Sequence, residues 1–359
     1  MLSDGGQSIW HDAQLAAALV AIDSHGLGGI CVKSQYGPVR DAWWQFVQSM
    51  LPCSPVQKIP PNTSDEQLLG GLDLEATLDQ GKPIYNSGVL ARCDGGLALL
   101  PMAERMPFST VALLSQAMDR GRIDSDSQAE QSVRCLFGIV AFDEGLGPDE
   151  AIHPRLAERL AFQIHLDPLG LNDSQSILEI TPTLIAEAKK ALPHIDCDAR
   201  LVESIMQSAA TFGIDSIRAG LFAIRAAKAL AALRSQSAVS EDEVVDAARL
   251  VFSRRATRMP TAHQQDHEEQ EPADHSSTQE DSSDRVDQER QADSDHQSEH
   301  DKTPPKADPP SSDTLDEMVV EAIQAGIPAN LLAQLMNCRQ FRSTTKESFS
   351  IVNHCSKMG

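Results

Sequence analysis

Apolar residues recur along this chain in two ways, as short continuous runs and as longer stretches with one apolar helical face. The run at 29–33 (GICVK) predicts a buried strand, and residues 38–51 place Trp43, Phe46 and Val47 at helical spacing. Further apolar runs that predict strands occupy residues 97–100, 132–142 and 162–166. Helical patterns lie between these runs, at residues 10–25, 107–120 and 153–162. Strands that alternate with helices predict an α/β core over residues 1–170, with a parallel sheet covered on both faces.

From residue 181 the pattern becomes purely helical and predicts a separate all-helical domain over residues 180–258. Thr181 and Pro182 together supply a cap and a first-turn proline for its first helix. Two further helices are predicted at residues 198–212 and 217–232, and the box Ser240-x-x-Glu243 is typical of the start of a fourth.

The acidic charge of the chain is concentrated after this helical domain. The formal net charge is −22, and residues 260–313 hold 16 acidic against four basic side chains, which accounts for −12 of it. This stretch is rich in proline and polar residues and has too few large apolar ones to form a core, so residues 259–313 are predicted to be a disordered linker. An amphipathic helix and an irregular tail are predicted over residues 314–359. The acidic balance argues against nucleic acid as a partner.

Several kinds of protein are excluded by what the sequence lacks. No apolar run reaches the roughly 18 to 20 residues of a membrane span, and the N-terminus has no signal-peptide pattern. The seven cysteines form no C-x-x-C pair, which argues against a zinc ribbon or a disulfide scaffold and suits a reducing compartment. We therefore expect a cytoplasmic protein with no membrane insertion and no metal site of its own.

The predicted strand, loop and helix over residues 26–51 are the frame of a phosphate-binding P-loop. The eight residues that should read G-x-x-x-x-G-K-[ST] are SQYGPVRD, residues 34–41, in which Gly37 is the one glycine left. Arg40 stands at the lysine position and Asp41 at the position of the Mg²⁺-binding hydroxyl, while Pro38 lacks an N–H donor. The frame of a nucleotide site is present, and most of its chemistry is absent.

Five segments in this order resemble magnesium chelatase, the enzyme that inserts Mg²⁺ into protoporphyrin IX for chlorophyll or bacteriochlorophyll. They are the P-loop frame, GGLDLEATL (70–78), DGGLALL (94–100), HPRLAERLAF (153–162) and IRAGLFAIRAAKALAAL (217–233). Magnesium chelatase has a smaller AAA+ subunit that is an active ATPase. Its larger AAA+ subunit has a decayed AAA+ module, an acidic linker and an integrin-I-like domain. Residues 10–336 of this chain are similar to that larger subunit.

The resemblance implies that two further parts of the nucleotide site have been lost. The Walker B strand should end in Asp-Glu, and here it runs into Pro101 and Met102, with Glu104 too far beyond the strand end to substitute. The sensor-1 asparagine should follow Ile139-Val140, where the chain has Ala141, Phe142 and Asp143. We therefore expect weak or absent ATP binding by this chain, with Gly37, Arg40 and Arg218 as the remnants of the site.

The arginines of the family pattern are retained. Arg159 matches the arginine finger, which acts in trans on the nucleotide of the neighbouring subunit, and Arg155 stands four residues earlier as an assisting residue. Arg218 matches the sensor-2 arginine. The alternative is that all three are ordinary surface arginines on amphipathic helices.

The chain departs from the larger AAA+ subunit at its C-terminus. The integrin-I-like domain requires a D-x-S-x-S metal site after an apolar strand, and that domain is missing here. The nearest string, Asp274, Ser276 and Thr278, lies in the predicted linker and is interpreted as chance. The sequence thus resembles a form of the larger subunit truncated before that domain.

The resemblance implies a non-hydrolysing platform subunit of magnesium chelatase, a ligase that forms nitrogen–metal bonds. Its expected partners are the active AAA+ ATPase subunit, in a ring with ATP and Mg²⁺ at the shared interface, and the porphyrin-binding catalytic subunit. Two alternatives remain from the sequence: a MoxR-like AAA+ chaperone for another metalloprotein, and a weak ATPase in its own right.

Overall fold

The computed structural model describes residues 3–82, 84–124, 132–147 and 149–258. Its strands in chain order are β1 (Gly29–Lys33), β2 (Val56–Lys58), β3 (Gly70–Leu72), β4 (Tyr85–Ser87), β5 (Leu97–Leu100), β6 (Arg122–Asp124), β7 (Ser132–Arg134), β8 (Gly138–Asp143) and β9 (Phe162–His165). The helices are α1 (Ser3–Ile22), α2 (Pro38–Met50), α3 (Asp65–Leu69), α4 (Leu74–Gln80), α5 (Val89–Arg92), α6 (Phe108–Arg120), α7 (Pro154–Ala157), α8 (Pro182–Ala191), α9 (Ala199–Thr211), α10 (Ile217–Leu233) and α11 (Glu241–Phe252). The predicted linker and tail, 259–359, lie outside the described residues.

Five strands form one parallel sheet in the order β2-β5-β8-β1-β9. Successive side chains of a strand point to opposite faces, and the core follows this rule. Ile30 and Val32 of β1 face one apolar cluster, whereas Cys31 faces a second cluster on the other side of the sheet. The predicted α/β fold class, with a parallel sheet covered on both faces, is confirmed.

Two segments differ from the prediction made from their apolar pattern. Residues 132–142 form two strands, because β7 pairs antiparallel with β6 as a hairpin while β8 enters the main sheet. Between them the Cys135 amide donates to Gly121 O at 2.9 Å, and the Leu136 amide donates to the Asp94 carboxylate at 2.7 Å. Because these two amides bond to groups outside the strands, β7 ends before β8 begins.

The helix predicted over 153–162 is a single turn, α7. The residues after α7 are not helical, because the chain extends there to enter β9, the edge strand that pairs with β1. The amide of Ala161 accordingly donates to Leu27 O at 2.9 Å, as in a continuing ladder. Arg159 therefore lies in the short connection between the helical turn and the strand.

Helices α8 to α11 form the helical domain and pack on the core through α1 and β9. Several of its arginines make polar contacts with the core. Arg225 pairs with Asp23 at 3.2 Å, Arg249 pairs with Asp12, and Arg255 donates to Ala161 O at 2.7 Å and to Leu160 O. Apolar packing and these contacts together fix the position of the helical domain on the core.

Candidate functional site

The P-loop frame forms as predicted, and the loop at 34–37 is bonded to the chain's own acidic edge. The Gln35 amide donates to Asp167 Oδ1 at 2.7 Å, and its side-chain nitrogen donates to Glu144 O at 2.6 Å. In a working P-loop the backbone N–H groups face phosphate oxygens. Here the Asp167 carboxylate accepts a hydrogen bond from one of those N–H groups.

Arg40, at the P-loop lysine position, is only 8% exposed. Its Nη1 donates to Glu144 Oε1 at 2.8 Å. The guanidinium carbon also lies 4.7 Å from the centre of the Tyr36 ring and 4.8 Å from that of the Phe142 ring. The positive charge that should meet a phosphate is therefore neutralised by a carboxylate and covered by aromatic rings.

The remaining positions of the loop give little support for phosphate binding. Gly37 has an extended backbone (φ 171°), and a Cβ added there would meet no atom within 4 Å, so neither backbone nor space requires glycine. Asp41 lies in the first turn of α2, where a carboxylate suits the helix dipole but would repel a phosphate.

The ends of β5 and β8 carry acids in structural roles. After β5, Met102 adopts a left-handed conformation (φ 47°) and the chain turns back on itself. This turn brings Glu104 to the sheet edge, where its Oε2 accepts the Glu144 amide at 3.0 Å. Glu104 thus lies nearer the site than its place after the strand suggests, but it is engaged with a backbone amide, and its inability to replace a Walker B acid stays a prediction. Asp143 is buried, pairs with Lys33 at 3.0 Å and accepts two backbone amides of the following loop.

Sequence reasoning missed Glu144 and Asp167, and a signal for both was present. Each lies one or two residues beyond the carboxyl end of a parallel strand, at the edge where ligands bind in open α/β sheets. Together with Glu104 and Asp143, they place four carboxylates at this edge, against three cations that are paired with them, Lys33, Arg40 and Arg105. The local charge opposes the binding of a polyphosphate.

Two of the three family-pattern arginines meet at Asp119, Arg159 from the core and Arg218 from the helical domain. Arg159 donates from Nε to both oxygens of Asp119 at 3.1 Å and from Nη2 to Oδ2 as well. Arg218, in the first turn of α10, donates to Asp119 Oδ1 at 3.4 Å. Asp119 is the next-to-last residue of α6, so one carboxylate joins a core arginine and an arginine of the helical domain.

The charges of this cluster affect the titration of Asp119. Burial raises its pKa, but the hydrogen bonds and charge of Arg159, followed by the charge of Arg218, outweigh burial and hold the pKa below the ordinary value. Asp119 is therefore a carboxylate at neutral pH. Arg155 is exposed and makes no ion pair within the described part of the chain, although its carbonyl accepts Arg159 Nη1 at 2.8 Å.

The backbone around Arg159 is fixed from two sides. Gly28 has a left-handed φ of 68°, and a Cβ there would lie 2.0 Å from Arg159 O, so only glycine fits. Beyond the finger position, Arg255 donates to the next two carbonyls, of Leu160 and Ala161. The position of Arg159 is set by the residue that precedes β1 and by the segment that follows α11.

Other kinds of site have little support within the described ranges. No group of three or more metal-ligating side chains comes together in the described residues. Burial raises the pKa of Cys31, Cys93 and Cys135 to about 12, so these thiols stay protonated near neutral pH. None of the helices described has the length and apolar character needed to cross a bilayer.

Comparison with known proteins gives a family match to the AAA lid domain over residues 202–275. The chain is 32% identical over 247 residues to the magnesium-chelatase 60 kDa subunit of Rhodobacter capsulatus, covering 69% of this chain and 41% of that subunit. With the 60 kDa subunit of Cereibacter sphaeroides it shares 33% identity over 333 residues, which is 93% of this chain and 52% of the subunit. The chain is similar to the larger magnesium-chelatase subunit.

The resemblance read from the motifs is therefore confirmed. The chain spans about half the length of the 60 kDa magnesium-chelatase subunits that it matches. It is also 22% identical to the 38 kDa magnesium-chelatase subunit of Rhodobacter capsulatus, over 69% of this chain and 86% of that subunit.

A crystal structure of a predicted ATPase from Cytophaga hutchinsonii superimposes with a TM-score of 0.51 at 14% identity, covering 70% of this chain and 88% of that one. Together with the lid match, this confirms an AAA+ fold, in which the matched lid domain includes most of α9 and all of α10 and α11.

Proposed function

We propose that this chain is a non-hydrolysing AAA+ subunit of a magnesium chelatase, which assembles with an active ATPase subunit and completes its neighbour's site. Its similarity to 60 kDa and 38 kDa magnesium-chelatase subunits supports a place in a multi-subunit enzyme for Mg²⁺ insertion into a porphyrin. The chelation step itself would belong to a porphyrin-binding subunit.

The contrast between two groups of cations carries the proposal. Arg40, at the chain's own phosphate position, is buried and paired with Glu144. Arg159 and Arg218 are also paired, both with Asp119, but this group is more open: the side chains of Asp119 and Arg218 are 37% and 41% exposed, although that of Arg159 is only 14% exposed. A subunit arranged in this way would bind a nucleotide of its own poorly. It could present two guanidinium groups to the nucleotide of a neighbouring subunit.

Arg159 would act on the γ-phosphate of the adjacent subunit. A planar guanidinium can donate two parallel hydrogen bonds to phosphoryl oxygens, a geometry that the single ammonium of lysine cannot reproduce. Such a finger is worth about 10³ to 10⁵ in rate in other phosphoryl-transfer enzymes. The chain would then contribute to hydrolysis without carrying out hydrolysis itself.

The test is Arg159→Ala in a complex of this chain with the active ATPase subunit and the porphyrin-binding subunit. We expect the complex to assemble. ATP hydrolysis at mixed interfaces and Mg²⁺ insertion should both be lowered by at least about tenfold, because the contribution of an arginine finger to the rate is large. Arg159→Lys should recover little of either rate. Phosphate release and porphyrin absorbance measure the two activities.

Arg200→Ala is the matched control, because Arg200 is exposed in the first turn of α9 and makes no ion pair within the described residues. It should leave both activities unchanged. If Arg159→Ala assembles and inserts Mg²⁺ at the unmodified rate, the trans-acting role is wrong. Steady phosphate release by the chain alone, near the usual lower enzymatic range of about 1 s⁻¹, would contradict the non-hydrolysing role.

A further inference from the structure

Asp119 lies where a carboxylate is costly to the helix that carries it. It is the next-to-last residue of α6, and Gly121 closes that helix with a left-handed cap. The C-terminal end of a helix carries partial negative charge, so a carboxylate there is unfavourable by itself. Helix stability therefore does not account for Asp119, and its contacts with two arginines need another reason.

Each of the three side-chain nitrogens of Arg159 donates a hydrogen bond. Nε and Nη2 face the Asp119 carboxylate, and Nη1 donates to Arg155 O at 2.8 Å. The same carboxylate accepts from Arg218, which belongs to the helical domain. One acid thus holds two guanidinium groups from different domains side by side, with a net charge of +1 for the three side chains.

We propose that Asp119 is a positioning residue that presents Arg159 and Arg218 as one paired-guanidinium site for the polyphosphate of a neighbouring subunit's nucleotide. This inference rests on the proposed function. Asp119 keeps the two side chains in place before the phosphate arrives, when two like charges would otherwise move apart. The arriving phosphoryl oxygens then replace the Asp119 oxygens as acceptors.

Such an arrangement has opposite effects on binding and on turnover. Asp119 competes with phosphate for the same donors, so it weakens nucleotide binding. It also holds the two guanidinium groups in place, so that less side-chain entropy is lost when the transition state forms, and this raises kcat. Removing its charge should therefore lower both KM and kcat, a combination that a general loss of folded protein does not produce.

The experiment compares Asp119→Asn and Asp119→Glu in the assembled complex with the active ATPase subunit. Asp119→Asn should lower kcat for ATP hydrolysis at least about tenfold and lower the KM for ATP several-fold, by the competition and ordering described above. Asp119→Glu retains the charge and should restore much of kcat. In an Arg159→Ala background, Asp119→Asn should change kcat little further, since the two residues act as one unit.

Asp79→Asn is the matched control. Asp79 is also the next-to-last residue of a helix, α4, and no arginine pairs with it within the described residues. An Asp119→Asn complex with unchanged kcat and KM would overturn the inference. So would an Asp119→Asn chain that fails to fold or assemble, or an Asp119→Asn effect that adds fully to that of Arg159→Ala, because each indicates a structural role.

Failure of this inference is distinguishable from failure of the proposed function. If Arg159→Ala leaves ATP hydrolysis unchanged, the proposed function itself is wrong and the inference falls with it. If Arg159→Ala lowers hydrolysis and Asp119→Asn does not, the proposed function stands and only the role of Asp119 is wrong.

Discussion

Arg40 shows that a cationic side chain at a ligand-binding position is not always available to bind the ligand. A guanidinium retains its charge in any protein environment, but its interaction with a ligand depends on which acceptors already surround it. The Glu144 carboxylate and the Tyr36 and Phe142 rings already surround it here. The loop amide of Gln35 is occupied by Asp167 in the same way.

Freeing these donors should create phosphate affinity. In the double variant Glu144→Gln with Asp167→Asn, the Arg40 guanidinium and the Gln35 amide lose their charged acceptors, and two negative charges leave the site. We expect inorganic pyrophosphate to bind at least about tenfold more tightly than to the unmodified chain, a gain of about 1.4 kcal/mol. Isothermal titration calorimetry measures both affinities.

Asp173→Asn serves as the control, because Asp173 also accepts a loop amide, that of Gly170 at 2.9 Å, but is not among the residues contacting the P-loop frame. It should leave pyrophosphate affinity unchanged. Equal affinity of the double variant and the unmodified chain would show that the two acids do not block the phosphate position.

The sequence predicted the positions of these residues and could not predict their contacts. The strand, loop and helix around Arg40 form where the sequence predicted them, because these three elements are local in sequence. The partner of Arg40, Glu144, is 104 residues away, and the pair can be identified only once β1 and β8 are known to be neighbours in the sheet. The same holds for Arg159 and Asp119, which are 40 residues apart.

Among the elements, helix starts were predicted well because capping is local. Thr181 and Ser240 are both N-cap residues in the structure, as their patterns indicated. Strand breaks were predicted poorly, since 132–142 is apolar throughout and its division depends on partners elsewhere, at Gly121 and Asp94.

The cap of α11 should contribute measurably to stability. The Ser240 amide donates to Glu243 Oε2 at 3.0 Å, and its hydroxyl donates to the same oxygen. Loss of the hydroxyl in Ser240→Ala should lower the free energy of unfolding by about 1 kcal/mol, as for other N-caps. Urea denaturation followed by circular dichroism measures this, and Ser237→Ala, in the same loop, should change it by less than about 0.5 kcal/mol.

This cap also has a predictable pH dependence. Burial raises the pKa of Glu243, but hydrogen bonds from Ser240 and Arg234 outweigh burial and lower the pKa below its ordinary value. A carboxyl with a lowered pKa in the folded state stabilises the fold above its ordinary pKa, and this stabilisation is lost as pH falls through the lowered one. The difference between Ser240→Ala and the unmodified chain should shrink in acid.

At the scale of the whole molecule, Arg255 connects the helical domain to the core. Its guanidinium donates to the carbonyls of Leu160, Ala161 and Val251, and burial lowers its pKa. No acid is needed as a partner, because three backbone carbonyls provide acceptors. Sequence periodicity could predict both domains but not this contact, since it depends on how they dock.

Replacing Arg255 should therefore weaken the whole fold. In Arg255→Met, buried carbonyls lose their donors, at a cost of roughly 1–3 kcal/mol for each group left unsatisfied. We expect the free energy of unfolding to fall by at least about 2 kcal/mol. Arg225→Met removes a more exposed contact between the same two parts, with Asp23, and should cost less than about 1 kcal/mol. Equal losses in the two variants would contradict this role of Arg255.

The attachment of Arg255 to the residues that directly follow Arg159 has a consequence for regulation. The helical domain cannot shift against the core without pulling on the backbone next to Arg159. If Arg159 acts on a neighbour's nucleotide as proposed, that nucleotide also favours one position of the lid. An effector that binds the lid of this chain would then change the affinity for the neighbour's nucleotide, and the nucleotide would change the affinity for the effector by the same factor.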